Sequence, residues 1–512
     1  MSFRIEQRVG KYTYLYEVTS YWDKEKKQSR QRRVLIGKRD PKTGELVDVT
    51  APKRLSREYG PVYFLWYLLE QLGIEAVVRS AFPEEAREIL LTACFQVAEQ
   101  RPLYLCNAWL EHIYLAQPCR LPSAALSRLL KSIGENERAV NEFLGTWAGR
   151  EAHDQFIVFD ITSISSYAHG IDFVEWGYNR DRERLAQINL GVVYGEPRSI
   201  PLFYGLYPGS LPDVKTLANL LKRLHQFKVE RTMFVLDKGF YSRANVEALA
   251  AAEMHFVIPV PITNKAVSEL LKQRREELGR PESAVRFGKQ LLYCIEDELR
   301  IGEYSYRAFC YLNEQASLGE RERIVSLVLD IEEFVGNAGR STATTLARDL
   351  DERYPEWQQF FHLEQHEGRL EVRRNKAAIG RRLERAGLMV LITNDKLTAT
   401  EGLSLYRKKD GVEKLFDAMK HGIDRRRLRI HSRTALQGLL FLDFLSLVLY
   451  SSIQARLKTS GLAKRYTVQE VFYELKKLNV IEIGAKAPMV TEVTKRQREI
   501  FEAFEMPEPT QA

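Results

Sequence analysis

Residues 232–260 read TMFVLDKGFYSRANVEALAAAEMHFVIPV. The apolar run from Thr232 closes on Asp237 and predicts a short buried strand. Ser242 to Glu253 predicts a helix with Ser242 near its cap, and His255 to Val260 predicts a further strand before a proline. Working outward, FIVFD closes on Asp160 as another buried strand. Gln187 to Tyr194 and Ile200 to Tyr207 are two more, separated by the turn GEPR and followed by PGS. Asp213 to Phe227 reads as an amphipathic helix with Asp213 as its N-cap after Leu211-Pro212. Three adjacent strands, a helix, a strand, a helix and a strand predict a mixed α/β sheet in which two strands end in aspartate.

Residues 403–423, LSLYRKKDGVEKLFDAMKHGI, have helical periodicity. Tyr406, Lys409, Glu413 and Lys420 stand at offsets that, at about 100° per residue, fall within an arc of about 60°. Leu405, Val412, Leu415, Phe416 and Met419 fall on an adjoining arc, so one helix can bury one side while presenting a carboxylate among cations. Such a stripe suits an anion. Asp237 lies 77 residues after Asp160, and Glu413 lies 176 after Asp237. Two strand-end aspartates and one helix glutamate form a candidate metal site if the fold assembles them, since hard divalent cations take carboxylate oxygens. Taken singly, a strand-end aspartate more often begins a turn than binds a metal, and Lys409 is consistent with a weak surface pair to Glu413. It is their joint occurrence with Tyr406 and Lys420 that points to chemistry.

A chain of 512 residues, 45% hydrophobic and 28% charged, is expected to fold as several soluble units. Net charge is +8, and residues 1–60 hold fifteen Lys and Arg against eight Asp and Glu. A basic head implies a polyanion partner, nucleic acid before membrane surface. Five cysteines without a CxxC pair fit a reduced, cytoplasmic compartment. The start shows no signal-peptide core. The most hydrophobic run, Ala435 to Ile453, is interrupted by Gln437 and Asp443, which favours a buried helix over a membrane span.

The organisation expected is a basic β-hairpin region over 1–55 with its charged tip in DKEKKQSRQ, and a helical, DNA-binding region over 56–150, broken near Gln117 to Pro122. A catalytic core follows in two parts, 151–260 and 388–424, separated by an α+β insertion over 261–387 with a charged helix around Thr342 to Phe361. A helical C-terminal region covers 425–512. Weaker candidates include His362 and His366, four apart without the HExxH arrangement and expected on helix surface, and Trp176, Tyr178 and Arg180 in EWGYNRDR, which suit stacking or clamping of bases. A glycine-rich phosphate loop and GxSxG are both absent from the sequence, so nucleotide hydrolysis and serine catalysis have no basis in it.

The strand order is similar to that of the ribonuclease H-like fold. With Asp160, Asp237 and Glu413 in place, the chain resembles bacterial insertion-sequence transposases of the DDE superfamily, in the group with a Tyr-(2)-Arg-(3)-Glu-(6)-Lys signature. That signature falls on Tyr406, Lys409, Glu413 and Lys420 with every spacing kept, and FVLDKGFYS is similar to the group's strand-Asp-Gly-Phe segment. Lys409 stands where the group commonly has arginine, which keeps the charge and loses the two-pronged grip on phosphate. The resemblance implies a nucleoid-associated enzyme that binds terminal inverted repeats in double-stranded DNA, cleaves the ends by metal-dependent hydrolysis and joins the 3′-hydroxyl to target DNA. It implies two Mg²⁺ ions, with Mn²⁺ as a substitute, held by Asp160, Asp237 and Glu413. Tyr406, Lys409 and Lys420 would hold the end phosphate, and a homodimer would pair two ends. The rivals are a related nuclease that cuts without joining and a DNA-binding derivative with a dead site.

Overall fold

The computed structural model describes the chain except for residues 1, 11, 24–27, 42, 49–53, 153–155, 169, 182, 230–231, 338–342, 367–368, 423–426, 484–486 and 511–512. Two compact units result: residues 1–75, 87–127 and 456–512 form one, and residues 76–86 and 128–455 the other.

In the first unit, Ser2–Val9, Tyr12–Asp23, Gln28–Arg39 and Leu46–Asp48 form a four-stranded sheet in sequence order. The expected hairpin is its central pair, and its basic tip at 24–27 lies outside the described residues. Ser2 faces Thr19 and Thr19 faces Arg32, while Arg8 faces Thr13 and Thr13 faces Arg39. Since side chains alternate along a strand, Arg4, Arg8, Arg32 and Arg39 share one face. A second, three-stranded sheet sets Asn479–Ile483 between Arg54–Glu58 and Met489–Val490. Phe64 anchors the helices beside it, with ring centroids 6.1 Å from Phe472 and 4.8 Å from Phe504.

The second unit carries the large sheet. Its strands are β1 (Phe156–Ser166), β2 (Gln187–Glu196), β3 (Ile200–Pro208), β4 (Met233–Leu236), β5 (His255–Pro259), β6 (Ala284–Phe287), β7 (Gln290–Ile301), β8 (Tyr304–Leu312), β9 (Leu388–Thr393) and β10 (Arg427–Leu428). The order across the sheet is β6-β7-β8-β9-β5-β4-β1-β2-β3, with β10 pairing beside the far end of β1. β1, β4 and β5 run parallel and every other neighbour in the path is antiparallel. Parallel neighbours need crossovers, supplied here by α1 (Leu217–Gln226) and α2 (Arg243–Ala251). Ser242 caps α2 by accepting from the Asn245 N–H at 3.1 Å. Asp213 does not cap α1 as expected; it lies in a single 3₁₀ turn, and its carboxylate takes Arg180 instead.

The segment expected as an insertion divides in two. β6, β7 and β8 lie in the same sheet as the core, reached through α3 (Lys265–Gln273). The remainder has its own small core: α4 (Glu314–Asn337), α5 (Ala343–Arg353) and α6 (Lys376–Glu384) pack around Ile331, Leu350, Trp357 and Phe360. The expected helix to Phe361 stops at Arg353, two residues before Pro355, because proline disfavours helical geometry in the residue ahead of it. His362 and His366 therefore lie not on a helix but on the strand Phe361–His366, which pairs with Arg369–Arg374.

After β9 come α7 (Ala399–Arg407), α8 (Asp410–Asp417) and α9 (Arg433–Thr459). α9 is the one helix among the described residues long and apolar enough to cross a membrane, yet 83% of its apolar window is buried in the protein. Gln437 donates to Glu137 at 3.1 Å, and Asp443 is buried. A Cβ on Gly134 would stand 1.8 Å from the Thr434 carbonyl oxygen, and one on Gly438 1.9 Å from that of Leu130. Gly134 lies on the helix Ser123–Glu135 and Gly438 on α9, and glycine at both positions lets the two backbones touch.

Candidate active site

Two aspartates meet because their strands are neighbours in register. Phe159 pairs with Leu236 across β1 and β4, so Asp160 and Asp237 are the next residues along two strands about 4.8 Å apart. Beyond Leu236 the chain leaves the sheet in one tight turn. Asp237 Oδ1 accepts from the Lys238 N–H at 2.7 Å, and Phe240 is fully buried with its ring centroid 5.0 Å from that of Phe159. The phenylalanine of FVLDKGF thereby anchors the turn that presents the aspartate. Asp160 Oδ1 accepts from the Ile161 N–H at 2.8 Å.

The third carboxylate arrives on α8. Val412, Leu415 and Phe416 are buried, which leaves Glu413 outward with a side chain 54% exposed. The stripe predicted on a single helix is carried on two. α7 ends at Arg407, Lys408 and Lys409 form the junction, α8 runs from Asp410 to Asp417, and a π-helical turn over Ala418–Gly422 holds Lys420. Gly411 sits where a Cβ would press on the Tyr194 ring at 3.0 Å, so the start of α8 is packed tightly against β2. Tyr406, Lys409 and Glu413 still converge. Lys409 Nζ lies 3.2 Å from Asp237 Oδ1 and 3.2 Å from Glu413 Oε1, and the Tyr406 hydroxyl donates to Asp237 Oδ1 at 3.3 Å.

Lys420 does something else. It is 8% exposed, and its ammonium binds both oxygens of Asp181 at 2.8 and 2.7 Å. Asp181 is held ready for it, since buried Asn179 accepts from the Asp181 and Glu183 N–H groups at 2.9 and 3.2 Å and donates to Ser165 Oγ at 3.0 Å. The backbone of the same loop is pinned at Tyr178, whose carbonyl accepts from Gln187 Nε2 at 2.9 Å. Its rings are not pinned. Trp176 is 70% exposed and Tyr178 84%. Arg180 pairs with Asp213, and a Cβ on Gly239 would lie 3.2 Å from Asp213 Oδ2, so this pair borders the Asp237 turn. Asp181 and the role of Asp213 are not legible in the sequence. The density of charge in GYNRDR was the available signal, and its partners are 33 and 239 residues away.

Electrostatics separate the two aspartates. Burial pushes Asp160 up to about 6, against the Ile161 N–H and the charges of Lys409 and Arg180, and Asp237 adds to the rise. Burial also acts on Asp237, but Lys409, the Lys238 N–H and Tyr406 outweigh it and hold the carboxyl below its ordinary value. For Lys409 burial favours the neutral amine, and Asp237, Tyr406 and Asp160 reverse that, keeping the ammonium charged. Burial and the Asp237 charge push the Tyr406 phenol up, so it remains a donor.

Among the described residues, no three His, Cys, Asp or Glu side chains stand as they are in an arrangement to hold a metal ion. The Lys409 ammonium occupies the point between Asp237 and Glu413. A cation bridging two hard oxygen donors, with a third carboxylate on the adjacent strand, is a donor set that suits Mg²⁺ or Mn²⁺. The residues fit such an ion once Lys409 withdraws.

The mixed sheet thus gathers carboxylates distant in sequence beside a lysine and a tyrosine hydroxyl. The chain belongs to the family of the transposase DDE domain, whose model matches residues 151–449, more than half of its length. No curated protein matches the chain. Among solved structures it is similar to a piggyBac transposase in a synaptic complex with hairpin DNA, at 12% sequence identity and a TM-score of 0.33, with 63% of this chain and 51% of that chain covered. The chain thus spans about half the length of that transposase.

Proposed function

We propose that the protein is a DNA transposase that binds the terminal inverted repeats of an element, cleaves its ends and joins the freed 3′-hydroxyl to target DNA. The carrying observation is that Lys409 joins Asp237 to Glu413, 176 residues on, beside Asp160 in the neighbouring strand. Family membership supports the class of enzyme. The sheet order β3-β2-β1-β4-β5, with β1, β4 and β5 parallel, supports a ribonuclease H-like core, and the separately packed segment from α4 to α6 supports an inserted domain.

In this reading Asp160, Asp237 and Glu413 would hold two Mg²⁺ ions. When bound, the ions supply positive charge to the entering and leaving oxygens of an in-line displacement at phosphorus. The chain's own residues do the rest. Lys409 leaves the carboxylate pair for the end phosphate, with the Tyr406 hydroxyl beside it. Lys420 can reach a phosphate only by exchanging Asp181 for it. Trp176 and Tyr178 present exposed rings on a pinned backbone, a surface suited to stacking on unpaired bases. The DNA partners are the element ends and the target duplex, the active assembly is a homodimer pairing two ends, and the place of action is the nucleoid.

The test uses duplexes carrying the inverted repeats that flank the reading frame. Glu413→Gln is expected to abolish Mg²⁺-dependent strand cleavage while end binding persists, since one ligand is lost and the cationic surface remains. Unchanged cleavage would remove Glu413 from the mechanism. A pre-cleaved end offered with a target duplex separates transposase from nuclease, because a nuclease yields no joined product.

A further inference from the structure

A cavity of about 470 Å³ opens beside Asp237. Asp237, Lys238 and Tyr406 line it on the catalytic side, and Arg382 and Arg385, at the end of α6 in the separately packed segment, line it on the other. Its size falls within the range of about 300–1,000 Å³ typical of ligand-holding clefts. The arginines are brought here by the turn between α6 and β9. Gly387 has φ +75°, and its N–H donates to Glu320 Oε2 at 3.1 Å, so the chain reverses sharply and enters the sheet.

The charges do not cancel. Arg382 lies 3.5 Å from Glu320, and Asp237 is already paired with Lys409. Lys238 and Arg385 remain as surplus cations, and the Arg385 side chain makes no ion pair among the described residues. A cleft of this charge continuous with a phosphoryl-transfer site fits a polyanion that passes through that site.

Resting on the transposase reading, we infer that this cavity seats the phosphodiester backbone of the DNA strand next to the cleaved bond, with Arg385 as its main phosphate contact and Arg382 as a second that trades Glu320 for phosphate. The segment from α4 to α6 then supplies one wall of the DNA channel. Arg385 is a positioning residue; the cleavage chemistry stays with the carboxylates.

The experiment measures binding of the full chain to end-bearing duplex across a KCl titration. Arg385→Ala is expected to lower the slope of log affinity against log salt by about one, and the double change with Arg382→Ala by up to about two, because each lost phosphate contact removes about one released counterion. Arg385→Lys is expected to restore most of the slope. To locate the contact, single phosphates around the scissile bond are replaced by neutral methylphosphonates. At one linkage the difference between wild type and Arg385→Ala should disappear. An unchanged slope in both variants, or a deficit that no methylphosphonate removes, overturns the inference while wild-type cleavage leaves the transposase reading standing. A wild-type chain that neither binds nor cleaves the ends overturns both.

Discussion

Asp160 is the residue through which pH acts on the site. Its carboxyl is buried and pushed up to about 6, and a metal must compete there with a proton. In the metal-free chain this raised value favours the fold at low pH: the contribution is complete below the unfolded carboxyl value and is lost as pH rises through about 6. Metal binding has the opposite sense. Mn²⁺ affinity, measured calorimetrically, is expected to fall by up to about tenfold per unit as pH drops below that value, because one proton must leave for each ion seated. Asp160→Asn should remove this dependence along with the site. A flat affinity between about pH 5 and about pH 7 would show that Asp160 is not a ligand. Asp237 is set apart by Lys409 and stays ionised, so two aspartates one strand apart respond to pH at different points. Periodicity in the sequence predicts both as strand ends; Asp237 is one, but Asp160 lies inside β1, which runs on to Ser166 because its pairing with β2 continues past the point where β4 stops, and the sequence says nothing of the difference in their ionisation.

At the scale of elements, the stripe of Tyr406, Lys409, Glu413 and Lys420 is the clearest case of partial legibility. Spacing on an ideal helix brings three of them to one place. The junction after α7 and the π-helical turn after α8 send Lys420 to Asp181. A wheel drawn at one angle per residue carries no information about where the helix is interrupted. The Lys420–Asp181 pair ties the end of α8 to the loop before β2, and breaking it from one side leaves a partly buried charge without its partner. Lys420→Met is expected to cost about 2 kcal/mol in chemical denaturation, and Asp181→Asn combined with it to cost less than the two single changes together. Additive single effects would mean that the pair contributes nothing beyond its separate residues. The same kind of long-range partner turns Asp213 from an expected helix cap into the counter-ion of Arg180.

For the whole molecule, charge and site lie in different parts of the chain. Arg4, Arg8, Arg32 and Arg39, which share their face with Glu6, Glu17, Asp23 and Asp48, belong to the first unit, whereas every carboxylate of the site belongs to the second. Charge reversal at Arg4, Arg8 and Arg32 is expected to weaken duplex binding and reduce its salt slope by up to about three, while a pre-bound end is still cleaved. An unchanged slope would mean that this sheet does not touch DNA. The order of strands and helices from Phe156 to Val260, the buried character of α9 and the two aspartates are determined by the sequence itself, because hydrophobic runs and their breaks are local properties. Only the tertiary structure decided that β6 to β8 extend the central sheet, that Lys409 stands between Asp237 and Glu413, and that Arg382 of α6 and Arg385 just after it line the same cavity as Asp237. Those are contacts between residues far apart in the chain, chosen by which strand edges pair and which charges are buried together, and no window of sequence contains both partners.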